Sequence, residues 1–354
     1  MSSMFGMLIF ALGGLAGATF LLPARGVKGW AYETWWLAYV FVGHLCCPAI
    51  ICWLMVPDFA NVVASAPGSV IAKCVLFGAL WGVGGLTWGL MVRYLGIGLG
   101  LAIGCGLCAA TGTILPPVLN GQAASLLFDA SGALVAGKVV VLAGVVGSLA
   151  GIGFVGYAGK SKENELPEEE KKKAVAEFDF KKGMVVAVIS GVCSACMNLG
   201  LQSGGAIESA AYAAAVKAGV VAQGAPFPWQ GMPVILVVLW GGFAVSALWC
   251  LQQNFTHRTF GDYARPTARN VLICLAIGVL WVMQFVCTKA GEPLMGDLRY
   301  ISFAVMMAST IFFSTIVGVA TGEWRGTSAK TKGLLALGTL VLVASFTVMS
   351  IGSK

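Results

Sequence analysis

The residues able to do chemistry in this 354-residue chain are few, and most lie inside apolar stretches. Thr19, His44, Thr87, Asn198, Gln202 and Gln284 interrupt runs of aliphatic residues, and Trp81, Trp88 and Trp281 share stretches with some of them. A polar side chain in hydrocarbon is costly, so it faces a partner or a cavity. Amides and hydroxyls that bond several hydroxyl groups, beside flat rings that cover an apolar face, are the equipment for holding a neutral sugar. Asn198 and Gln202 stand one helical turn apart, which suits a polar cavity face and an interhelical hydrogen bond equally. Each Trp taken alone is more simply a packing residue or an interface anchor. Trp81, Thr87, Trp88, Asn198, Gln202, Trp281 and Gln284 form the candidate substrate-binding set.

A second kind of chemistry needs a carboxylate. Glu33 lies within Trp30-Ala-Tyr-Glu-Thr-Trp-Trp36 at the start of an apolar stretch; Glu208, Glu292 and Asp297 lie near other stretch ends. Burial favours the protonated form of such a group, so any of them could carry a coupling proton. Glu33 is the first candidate and Asp297 the second. His44 titrates near neutral pH in water, although a buried neutral imidazole is the commoner case.

Other chemistries are poorly served. No Walker loop, G-x-S-x-G or H-E-x-x-H occurs, which argues against an enzyme and against an ATP-driven pump made by this chain alone. Cys105/Cys108 and Cys193/Cys196 have C-x-x-C spacing, but no His accompanies them. On a membrane helix that spacing only sets two small residues on one face. No metal, cofactor or obligate protein partner is expected.

The elements that position these residues follow from composition. The chain is 58% apolar and 10% charged, against roughly 25% charged in a soluble domain. That excludes a soluble enzyme and a nucleic-acid binder. Ten charge-poor windows reach the length of about 20 residues that a bilayer demands: 4–22, 34–56, 72–92, 96–118, 136–157, 183–203, 231–251, 270–289, 299–320 and 333–351. Between the fifth and sixth, Lys160–Lys182 carries seven Lys and seven acids and reads as a solvated linker. Residues 206–218 could form a further short helix at the interface. Loops after odd-numbered windows hold sixteen Lys and Arg, and those after even-numbered windows hold five. The positive-inside rule then sets the linker in the cytoplasm and both termini outside.

Five windows on each side of a charged linker imply halves of opposite orientation, the inverted repeat of many secondary transporters. Internal likeness is faint. Gly13–Ala18 resembles Ser190–Ala195, Leu80-Trp81 matches Leu280-Trp281, and Asn120-Gly121 has a counterpart in Thr321-Gly322. The expected architecture is an all-α polytopic membrane protein of ten helices: a first repeat at 1–157, a linker at 158–182 and a second repeat at 183–354.

Longer motifs point to a family. VKGWAYETWW (27–36), LFGALWGVGGLTWGLMVRYLGIGLGLAIG (76–104), GTILPPVLNG (112–121), EFDFKKGMVVAVISGVCSA (177–195), LWVMQF (280–285) and RYISF (299–303) run nearly the length of the chain. In these motifs it resembles the L-rhamnose–proton symporter family of the drug/metabolite transporter superfamily. The resemblance implies ten helices in a five-plus-five inverted repeat and uptake of L-rhamnose or a related deoxy-sugar by proton symport across a bacterial inner membrane. An exporter of a small polar metabolite and a passive sugar facilitator share this architecture and stay open.

Overall fold

The computed structural model describes residues 2–119, 121–167, 169–170, 175, 177–265, 267–291, 294 and 302–352. Among these the chain is helical, with one isolated β-bridge between Phe128 and Leu134. The main helices are α1 (Ser2–Thr19), α2 (Tyr32–Met55), α3 (Gly68–Leu95), α4 (Ile97–Leu119), α5 (Ala136–Glu165), α6 (Phe180–Ser203), α7 (Gly205–Lys217), α8 (Met232–His257), α9 (Ala268–Gly291), α10 (Ser302–Ala320) and α11 (Ala329–Gly352). Among the described residues nine helices are long and apolar enough to cross a membrane, and Val305–Ala320 within α10 is a shorter apolar one. The expected short helix at 206–218 is α7.

Several helices run past the charge-poor windows. α3 runs past its window through Arg93, and α5 continues to Glu165 through Lys160 and Lys162. A helix satisfies its own backbone whatever its side chains carry, so charge marks the edge of the apolar slab and not the end of the helix. The linker is accordingly less solvated than its composition suggests. Lys162 is 1% exposed, with Nζ 4.7 Å from the Phe178 ring centroid and 5.2 Å from that of Trp324. Its long stem and cation lie against aromatic faces.

The chain forms two compact units: Met1–Ala18, Leu86–Ala195 and Leu294–Lys354 in the first, Thr19–Gly85 and Cys196–Pro293 in the second. In the first unit, Met91, Leu95, Leu99, Ile103, Val155, Leu342 and Phe346 make the core. α5 and α11 pack along their length through Gly137, Gly144 and Gly151, spaced seven residues apart. A Cβ on Gly144 would meet Met349 N at 2.8 Å and Ser345 O at 2.9 Å, so only glycine allows this approach. Gly14 of α1 abuts Thr310 N of α10, and Gly191 of α6 abuts Leu107 Cβ of α4. Thus the first window packs on the ninth and the sixth on the fourth.

Helix ends in this unit are capped from far along the chain. Glu323 accepts from Ile97 N at 2.8 Å and Gly98 N at 3.0 Å, satisfying donors that α4 leaves unpaired. Gly96 has φ +87, and a Cβ there would meet Glu323 Oε2 at 2.6 Å. Both the turn and the cap therefore exclude a side chain. Gly121 and Gly322, the expected counterparts, both take positive φ, at 68° and 82°.

Candidate functional site: an acid–histidine pair and an aromatic cluster

The second unit holds two polar clusters on one helix. At the first turn of α2, Glu33 is buried. Its Oε1 lies 3.0 Å from His257 Nδ1 and accepts from Thr259 Oγ1 at 2.9 Å. Asn254 links the surroundings: its Nδ2 donates to Thr259 Oγ1 at 2.8 Å and Thr34 Oγ1 at 3.0 Å, and its Oδ1 accepts from Tyr263 at 3.0 Å. Asp262 completes the network, accepting from Ala31 N at 2.8 Å and Thr34 Oγ1 at 3.1 Å. Burial, with smaller contributions from neighbouring groups, pushes the Tyr263 hydroxyl up to about 12, so it stays a neutral donor.

The turn that follows α8 builds this cluster. Arg258 has φ +56 and reverses the chain, which brings Thr259 and Asp262 back towards α2. The sequence reading singled out Glu33 and missed His257, which lies 224 residues away. The signal was present in the topology: the start of the second window and the end of the seventh fall on the same membrane face.

Eleven residues on from Glu33, about 16 Å along an α-helix, lies the second cluster. His44 sits in a π-helical turn, Phe41–Cys46, a local widening often found at functional sites. It is 3% exposed, and its Nδ1 has no hydrogen-bond partner among the described residues. Its ring centroid is 4.5 Å from that of Trp281 and 5.2 Å from that of Trp81, and the two indoles are 5.9 Å apart. Between the clusters Tyr32 stacks on Trp36 at 5.2 Å, and Trp36 meets Tyr39 edge-on at 4.8 Å.

Of the expected substrate set, Trp81 and Trp281 come together. Gln284 lies one turn beyond Trp281 and donates Nε2 to the Trp281 carbonyl at 2.8 Å. Its side-chain oxygen is not engaged in that bond. Asn198 is half-buried and Gln202 exposed. Gly200 of the same helix packs on Val238, and Gly204, just past its end, on Val234, so helical geometry turns Asn198 and Gln202 away from α8. Thr87 and Trp88 belong to the first unit. There Trp88 packs against the core and bounds the space beside Gly104. Asp297 lies outside the described residues.

Helices of this length and apolarity define a polytopic, all-α, multi-pass membrane protein. Comparison with known proteins gives the family. Residues 1–354 match the sequence model of the L-rhamnose-proton symport protein (RhaT) family, and the chain belongs to that family. An L-rhamnose-proton symporter of Pectobacterium carotovorum subsp. carotovorum (strain PC1) is 30% identical over 348 residues, covering 96% of this chain and 95% of that protein. Similarly named proteins of Cronobacter sakazakii and Yersinia pestis bv. Antiqua are 29% and 28% identical, each covering 98% of this chain and 97% of the relative.

Proposed function

We propose that this chain imports L-rhamnose together with a proton across a bacterial inner membrane. It would do so with two inverted five-helix halves, residues 1–157 and 183–354, joined on the cytoplasmic side by 158–182. Family membership supports the substrate and the coupling ion. The single observation that carries the mechanism is the buried carboxylate of Glu33 on the helix that bears His44.

When ionised, Glu33 accepts hydrogen bonds from Thr259 and from an Nδ1–H of His257. Protonation converts one carboxylate oxygen from acceptor to donor. That weakens the hold of the turn after α8 on the first turn of α2. α2 then responds as one element whose middle carries His44 against Trp81 and Trp281. A sugar that favours one position of α2 therefore favours one protonation state of Glu33, and linkage makes the effect mutual. In this reading the indole faces of Trp81 and Trp281 cover the sugar's apolar side. The Gln284 oxygen bonds one of its hydroxyls.

Reconstitution into proteoliposomes tests the proposal. An imposed inward proton gradient should concentrate labelled L-rhamnose above the outside level, and collapsing the gradient should release it. A passive facilitator would only equilibrate the sugar, and an exporter coupled to the opposite flux would not accumulate it.

A further inference from the structure

Two helix crossings in the second unit are one crossing made twice. Gly78-Ala79-Leu80-Trp81 on α3 and Gly278-Val279-Leu280-Trp281 on α9 share a Gly-x-Leu-Trp pattern. A Cβ on Gly43 would meet Gly278 O at 3.3 Å and Trp281 Cε3 at 3.4 Å. A Cβ on Gly242 would meet Gly78 O at 3.4 Å and Trp81 Cε3 at 2.6 Å. Gly43 of α2 thus corresponds to Gly242 of α8, and the two tryptophans that meet at 5.9 Å are counterparts.

The next residue breaks the correspondence. Gly242 is followed by Phe243 in an uninterrupted α-helix; Gly43 is followed by His44 in a π-helical turn. Phe243 is half-buried and pairs with Phe41 at 6.2 Å. His44 is buried against both indoles, which also meet each other. A phenyl ring would fill such a place without leaving a polar atom unsatisfied, whereas a buried nitrogen without a partner is costly. The imidazole makes sense there if something else supplies the missing bond.

We propose that His44 is a specificity-determining residue that shares a hydrogen bond with one hydroxyl of the bound sugar, beside the paired rings of Trp81 and Trp281. This rests on the sugar-import reading above. A hydroxyl both donates and accepts, so it satisfies Nδ1 in either tautomer of the ring. Stacking of the sugar on the indoles replaces ring–ring contact when the tryptophans part, and the hydrogen bond then selects one hydroxyl position and configuration. Because the crossing of Gly and Trp is made twice, a polar group carried by only one copy gives the site a direction, and His44 helps fix which way round the sugar lies.

The test measures exchange of labelled L-rhamnose in proteoliposomes, competed by L-rhamnose analogues that each lack one hydroxyl. Parent protein, His44→Phe and His44→Asn are compared. We expect one analogue to compete roughly tenfold less well than L-rhamnose in the parent. His44→Phe should weaken L-rhamnose by a similar factor and abolish the discrimination against that analogue alone, and His44→Asn should restore part of it. Uniform weakening for every analogue would make His44 a packing residue, and unchanged affinities would remove it from the site; either overturns the proposal. If His44→Phe fails to insert, His44→Asn against the same series decides. Failure of the parent to exchange L-rhamnose at all would instead bring down the import reading, and this inference with it.

Discussion

Glu33 Oε1 stands 3.0 Å from His257 Nδ1, and the two side chains differ sharply in exposure, 6% for the carboxylate and 56% for the imidazole. One end of the pair is enclosed by protein and the other touches solvent. His257 is thus placed to stabilise ionised Glu33 and to connect it with water.

Replacing His257 with Phe should therefore slow proton-driven uptake while leaving sugar exchange near the parent rate. Losing one hydrogen-bonding partner costs about 1 kcal/mol, so roughly a fivefold fall in initial uptake rate is expected. The measurement is uptake against counterflow in the same proteoliposomes. Equal losses in both would assign His257 a purely structural role.

The α5–α11 seam yields a stability prediction with an internal control. Gly144→Ala forces a methyl against Met349 N and Ser345 O, and overpacking costs about 1–3 kcal/mol. Gly153→Ala, on the same helix with nothing within 4 Å, should be neutral or stabilising by about 0.5–1 kcal/mol. Thermal unfolding in detergent should rank Gly144→Ala below the parent and Gly153→Ala level with it or above.

Orientation is open to direct labelling. Glu169→Cys, at an exposed position between α5 and α6, should react with an impermeant thiol reagent in inverted vesicles and stay unlabelled in intact cells. The background must lack the eleven native cysteines. Labelling in intact cells would reverse the assigned topology.

The membrane architecture was legible in the sequence because hydrocarbon enforces it: charge-poor windows of spanning length leave the backbone few alternatives. Helix ends were not, because α3 and α5 carry lysines and arginines beyond the apolar slab and keep their own hydrogen bonds. Leu80-Trp81 and Leu280-Trp281 were visible as a repeat, and the structure brings those indoles together. The residue that separates the two copies was less visible. Nothing in the types of His44 and Phe243 announces that a π-helical turn sends one inward. Glu33 stood out as a carboxylate among aromatic residues, whereas its partners His257 and Thr259 depend on a left-handed turn at Arg258. Lys162 was assigned to solvent by its neighbours in sequence, and its neighbours in space are Phe178 and Trp324.

The central claim is that Glu33 carries the coupling proton, and Glu33→Gln tests it most directly because it keeps the shape and removes the titration. Proton movement accompanying L-rhamnose uptake should be recorded with a pH-sensitive dye inside proteoliposomes of parent and variant. The account predicts that the variant still exchanges labelled sugar, moves no protons with it and fails to accumulate it under an inward proton gradient. Proton-coupled accumulation by Glu33→Gln at the parent level would contradict the account.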